Sequence, residues 1–204
     1  MTSSTSRPVL LGVDGRSGSG KTSLATTLTS ALRADHGLDV ELFHVEDVYR
    51  GWSGLEAGID HYVSHVLEPL RHGEPASWFA WDWVHDAVES VPRTTRPAAV
   101  VICEGVGSAA PKARPLLDAA LRLVAPPHLR KQRALARDGE TYRPYWDLWA
   151  EQEEELMGTQ RCSHPSQDAR GPFDLTLSMT AATEAADLER KALSWALNAI
   201  NAAA

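Results

Sequence analysis

The chain has 204 residues, 43% of them hydrophobic, enough to bury one sizeable core and near the upper end for a single domain. Its 20 basic and 27 acidic side chains leave a formal charge of −7, which excludes a broad nucleic-acid surface but not a local basic pocket around one nucleotide. No stretch approaches the roughly 18 apolar residues of a membrane span, and polar residues 1–8 lack the apolar region of a secretion signal, so a cytoplasmic protein is expected.

Residues 8–13 form a short apolar run with β-branched members and read as a buried strand leading into a glycine-rich turn. That turn, Gly15-Arg16-Ser17-Gly18-Ser19-Gly20-Lys21-Thr22, matches G-x-x-x-x-G-K-[ST]. Its glycines let the backbone N–H groups wrap closely around phosphate oxygens, and the N-terminus of the following helix adds its positive dipole end. Lys21 is placed to reach the β- and γ-phosphates, and the Thr22 hydroxyl to hold Mg²⁺. Residues 22–34 have helical periodicity, with Leu24, Ala25, Leu28 and Leu32 on one face.

A second strand over residues 40–45 runs into Glu46-Asp47-Val48-Tyr49. A carboxylate just past the C-terminal edge of a parallel strand sits where such sheets bind ligands, so Asp47 is the expected acceptor of a proton from an attacking hydroxyl. Residues 55–72 read as a helix with Pro69 near its end; His61 and His65, four apart, suit metal binding by spacing, but a helix surface is the simpler reading without a third ligand. Trp78, Trp81 and Trp83 form an aromatic cluster with faces for stacking or for core packing.

Residues 98–103 are the clearest buried strand and end at Glu104-Gly105, the arrangement of a Walker B strand, so Glu104 is a second candidate for Mg²⁺. Cys103 lies inside that run and reads as a small hydrophobe, with no C-x-x-C pairing to Cys162. After a strand at 121–125 comes a basic helix over about 128–137, in which Arg133 and Arg137 share a face. A closing segment with arginines stabilises the charge that spreads during phosphoryl transfer and keeps water out, so residues 127–145 are expected to be a lid, with Arg130 and Arg143 as weaker contributors. Residues 145–157 read as a helix with Trp146, Trp149 and Leu156 on one side and Glu151, Glu153 and Glu154 in solvent; 158–172 read as a loop, 173–179 as a strand and 181–199 as a closing helix.

The absence of N-K-x-D and of an L-S-G-G-Q-like signature turns the reading away from GTPases and transporter ATPases. The chain resembles the uridine kinase-like P-loop kinases, relatives of phosphoribulokinase and pantothenate kinase. The resemblance rests on residues 15–22, on Glu46-Asp47-Val48-Tyr49, on Glu104-Gly105, and on Trp81-Asp82-Trp83-Val84-His85, similar to the family's Y-D-F-x-x-H segment but one residue short at the histidine. It implies that Asp47 is the base for a sugar 5′-hydroxyl and that Tyr49, Trp81, Asp82 and His85 line the acceptor pocket.

The expected fold is α/β: a doubly wound, mainly parallel five-stranded sheet of the P-loop nucleoside triphosphate hydrolase type, in one domain with a helical lid. The expected activity is transfer of the γ-phosphate of ATP, with Mg²⁺, to a hydroxyl of a small metabolite such as uridine or cytidine. A sugar or pantothenate is the alternative acceptor, and a non-catalytic ATP-binding regulator the alternative class. No nucleic acid polymer and no membrane are expected as partners, and self-association is left open.

Overall fold

The computed structural model describes residues 7–162, 172–180 and 182–204. Five parallel strands form the central sheet: β1 (Val9–Asp14), β2 (Val40–His44), β7 (Val100–Gly105), β8 (Ala119–Val124) and β9 (Leu175–Ser178), in the order β2-β7-β1-β8-β9. The remaining strands, β3 (Ala76–Trp78), β4 (Trp81–Asp82), β5 (Ala87–Val88) and β6 (Arg93–Thr95), pair as two small antiparallel ribbons, β3 with β6 and β4 with β5. The expected doubly wound architecture is therefore present, and its main sheet is parallel throughout.

Helices cover both faces, which is why β1 and β7 are near-continuous apolar runs rather than alternating ones. The pleat sends alternate residues to opposite faces. Leu11, Val13 and Ile102 pack under α1 (Lys21–Ala34) and α6 (Ala185–Ala203), against Leu24, Leu28, Leu32, Leu188 and Trp195. Leu10, Val101 and Cys103 point the other way, into a core with Phe43, Tyr62, Val66, Leu70, Trp78, Trp146 and Trp149. Cys103 is a buried free thiol, pushed up to about 12 by burial, and behaves as the small hydrophobe expected of it.

The second face is built by α2 (Leu55–Tyr62), which passes through a π-helical turn at Val63–Leu67 into α3 (Glu68–Arg71), and by α4 (Pro127–Tyr142) and α5 (Trp146–Cys162), joined by a 3₁₀ turn at Arg143–Tyr145. The helix expected over residues 55–72 is thus nearly continuous, and Pro69 sits in the first turn of α3, where its missing N–H is tolerated. Two corrections arise on this side. The helix ending the 145–157 reading continues to Cys162 instead of giving way to a loop at 158, while 163–171 lie outside the described residues. Glu153 is buried, at 1% exposure, where the sequence suggested solvent, because it shares the face of Trp146 and Trp149, seven and four residues before it, and the turn after β1 covers it there.

His61 and His65 stack with ring centroids 4.0 Å apart, and His61 Nε2 is buried without a partner. No group of three or more His, Cys, Asp or Glu side chains able to hold a metal occurs among the described residues. Burial, then the charges of His65 and Arg50, lower the His61 pKa from 6.5 to about 4. The folded state therefore prefers neutral His61, and stability is expected to decline as pH falls from 6.5 toward about 4, levelling below that. A His61→Phe variant is expected to flatten the urea midpoint against pH over that window relative to the parent protein. No helix among the described residues is long and apolar enough to cross a membrane.

Candidate functional site

The turn after β1 is pinned from below. Asp14, fully buried, accepts hydrogen bonds from the N–H groups of Gly15 (2.6 Å), Gly107 (3.1 Å) and Ala109 (2.9 Å), tying the ends of β1 and β7 together. Gly20 (φ 95°) turns the chain into α1, whose first turn carries neither a side-chain cap nor an acidic residue. The donors of that helix end are thus left to the space ahead of them, the arrangement that suits an anion. Gly18 has φ 75°, and a Cβ there would stand 2.1 Å from the backbone oxygen of Arg130. A Gly18→Ala substitution combines left-handed strain with a backbone clash; it is expected to cost about 2–4 kcal/mol in chemical denaturation and to weaken nucleotide binding in the same protein.

Lys21 and Thr22 open onto a cavity of about 570 Å³ also lined by Ser17, Glu46, Tyr49, Trp52, Trp83, Arg137 and Tyr142. At its base the Thr22 hydroxyl lies 3.2 Å from both carboxylate oxygens of Glu104. His44 Nδ1 stands 2.7 Å from Glu104 Oε1, a meeting set by the parallel register that pairs His44 with Glu104 across β2 and β7. Burial opposes ionisation of Glu104, but His44, Lys21 and Thr22 outweigh it and hold the carboxyl below its ordinary range, while the same hydrogen bond raises His44. Oxygen donors from Thr22 and an ionised Glu104 fit a hard divalent cation that takes its other ligands from phosphate and water.

The two carboxylates after β2 go different ways. Glu46 lines the cavity, exposed to its solvent yet crowded by protein; this crowding, then the Glu104 charge, raises its pKa, with Lys21 and Arg137 acting against the shift. Asp47 instead stands 3.3 Å from Arg93 Nη1. The cause is the 3₁₀ turn Val45–Val48, which points successive side chains in different directions where a continuing strand would alternate them.

Of the residues expected to hold an acceptor, Tyr49 is at the cavity, its hydroxyl donating to the Val106 carbonyl. Asp82 pairs with His85 at 2.6 Å, and Asp82 also accepts from the N–H groups of Val84 and His85, so these two close their own turn. Trp81 packs beside Gly51, and neither it, Asp82 nor His85 lines the cavity. Trp78 is core: its Nε1 donates to Thr95 Oγ1. The aromatic wall consists of Trp83 with Trp52, Tyr142 and Trp149, the last three not singled out as cavity residues by sequence. Trp52 stacks on Tyr142 (5.0 Å, 15°) and on Tyr145 (4.9 Å, 6°), and Gln152 Nε2 holds its carbonyl.

From the basic helix α4, Arg137 lines the cavity and pairs with Asp138, whereas Arg133 is directed to the Met179 sulfur and Arg143 pairs with Glu140. Arg130 is buried and donates to the Ser17 carbonyl. Arg16 turns its guanidinium to α5, so what it offers a phosphate is its backbone. Gly139, with φ 55° and ψ −131°, breaks α4 just before Tyr142 and redirects that ring toward Trp52.

No protein-family profile matches the chain, and no curated protein does. Among solved structures it is similar to a protein of Bacillus stearothermophilus described as a possible uridine kinase, at 22% identity over 86% of this chain and 91% of that one, with a TM-score of 0.55. It is also similar to a protein of Silicibacter sp. TM1040 provisionally described as a fructose transport system kinase, at 21% identity over 87% and 93%, with a TM-score of 0.59. The likeness shows a P-loop kinase-like fold.

Proposed function

We propose that the protein is an ATP-dependent kinase of a small alcohol. The observation that carries this reading is the shared cavity: Lys21 and Thr22 of the glycine-rich turn open directly onto Glu46, Arg137 and an aromatic wall. The turn and the α1 N-terminus hold the phosphates through backbone N–H groups, and Lys21 neutralises the β- and γ-groups. Thr22 and Glu104 would hold Mg²⁺, which would supply positive charge against that of the phosphates. Arg137 faces the transferring group from α4 and is the arginine of the 127–145 lid assigned to this step; Arg133, turned to Met179, is given none.

The acceptor hydroxyl is placed beside Glu46, which takes its proton as the oxygen bonds to the γ-phosphorus and the bond to the ADP oxygen breaks. Glu46 is assigned this role ahead of Asp47 because it faces the cavity, whereas Asp47 is paired with Arg93 outside it; burial raises the pKa of both carboxyls and so does not separate them. Trp83 and Trp149 offer faces to a flat ring, so a nucleoside such as uridine or cytidine is the first reading of the acceptor. A sugar is the second, favoured by Trp52 being already stacked on Tyr142 and Tyr145 while the Glu46 carboxylate faces the cavity for hydroxyl groups.

Coupled ADP formation with purified protein, ATP and Mg²⁺ tests both readings against a panel of nucleosides, sugars and pantothenate. Release of ADP that depends on one class of acceptor is the expected result. Tight ADP binding with no acceptor-dependent turnover across the panel would mean a nucleotide-binding regulator instead.

A further inference from the structure

Glu153 is a charged side chain with nothing to do in a solvated helix face, and it is not there. It projects from α5 to the outer side of the glycine-rich turn, 1% exposed. The Ser17 N–H donates to Glu153 Oε1 at 2.7 Å, and Arg16 Nε donates to Oε2 at 2.8 Å. Arg130 Nη1, from α4, stands 3.5 Å from Oε2 and donates to the Ser17 carbonyl at 3.2 Å. Arg16 is committed further, to Glu154 and to the Ala150 carbonyl, and Trp149 Nε1 donates to Ser17 Oγ at 3.0 Å. One carboxylate therefore touches the turn, through Arg16 and Ser17, and the first turn of α4, through Arg130.

We propose that Glu153 is a positioning residue for nucleotide binding, holding residues 16–17 in their bound shape and joining the glycine-rich turn to α4 through Arg130. The proposal rests on the reading of residues 15–22 as the nucleotide loop. A loop fixed before the nucleotide arrives does not charge its own ordering to the binding step, so binding is tighter than to a loop that must be organised. Glu153 also supplies the countercharge for two guanidinium groups packed on the outer side of the turn. Burial disfavours the Arg16 charge, and the Glu153 and Glu154 carboxylates reverse that shift. Arg130 has a lowered pKa through burial, then through the like charge of Arg16, so it has most to lose if Glu153 goes. Because Arg130 belongs to α4 and its carbonyl sits over Gly18, the same contacts couple the proposed lid to the loop.

The test measures ADP–Mg²⁺ affinity by calorimetry, acceptor KM, kcat and melting temperature for Glu153→Gln, Glu153→Ala and Arg16→Gln, with Glu151→Gln on the exposed side of α5 as control. Glu153→Gln retains an acceptor for the Ser17 N–H but not the charge; it is expected to raise the ADP Kd roughly tenfold, and Glu153→Ala more. Acceptor KM is expected to stay put, and Glu151→Gln to match the parent. Arg16→Gln attacks the same pair from its partly exposed partner, so it reports even if the Glu153 variants fold poorly, and its effect is expected to be non-additive with Glu153→Gln. A lowered melting temperature with ADP Kd within about twofold of the parent would make Glu153 a stability residue only and overturn the proposal, as would tighter ADP binding. Parent protein that binds no ADP removes the nucleotide reading and this proposal together; a parent that binds, with variants unchanged, removes this proposal alone.

Discussion

Lys21→Met is expected to lower kcat/KM for phosphoryl transfer by at least about 10³-fold and to weaken ADP–Mg²⁺ binding, with the fold retained. Lys21 is nearly buried at the first position of α1, where it faces the cavity and acts electrostatically on Asp14, Glu46 and Glu104. Among the described residues lining the cavity, Arg137 is the other cation. Arg137 comes from α4 and carries its own partner, Asp138. Coupled ADP release and calorimetry on the same preparation check the two effects, with circular dichroism to confirm folding. Methionine preserves most of the volume, which keeps the effect electrostatic. A variant retaining more than about a tenth of parental kcat/KM would place the phosphates elsewhere and remove the basis of the kinase reading.

Glu46→Gln is expected to lower kcat by about 10²–10⁴-fold while leaving ADP affinity close to the parent's, because it removes a proton acceptor without disturbing the loop. Asp47→Asn, by contrast, is expected to change kcat by less than about tenfold, since its carboxylate is engaged with Arg93 outside the cavity. In the parent protein, kcat/KM is expected to fall as pH drops through the folded pKa of Glu46, because the protonated carboxyl cannot take a proton from the acceptor. Burial and the Glu104 charge raise that midpoint from the ordinary glutamate value. The opposite pattern, loss with Asp47→Asn and retention with Glu46→Gln, would return the base to Asp47 and show that the turn after β2 rearranges when the acceptor binds. The pair of variants therefore separates Asp47, the base expected from the sequence, from its neighbour Glu46, to which the sequence reading gave no role.

That pair also marks how far the sequence could be read. Residues 15–22 stood out as the proposed phosphate cradle because such a cradle is local: it needs glycines, a lysine and a hydroxyl at fixed spacing along one turn, and the apolar run before it and periodic helix after it supply the frame. Glu104 was legible for the same reason, as an acid ending an apolar strand. The cross-strand partner His44 was within reach, since both residues close parallel strands, but only the register pairs them. The Trp81-to-His85 segment resembled an acceptor motif, and the structure has Asp82 and His85 bonded to one another in a turn, away from the cavity. Trp52 carried no signal at all beyond following a glycine.

The glutamates of α5 make the boundary clear. Read along the chain, Glu151, Glu153 and Glu154 are one solvated stripe; in the structure Glu153 is buried on the glycine-rich turn while Glu151 remains exposed. Helical spacing gives the side chain a direction, but what lies in that direction is another element, 136 residues away for Ser17. The sequence determined by itself the order of the five sheet strands and of the main helices, the apolar faces that make the sheet doubly covered, and the glycine-rich turn after β1, but not the small ribbons β3–β6. All of these depend on short-range geometry, residue periodicity and backbone conformation, which neighbouring residues fix. Only the tertiary structure decided which carboxylate faces the cavity, which aromatic rings wall it and which arginines reach it, because those depend on packing between segments whose relative placement is set by long-range burial and register.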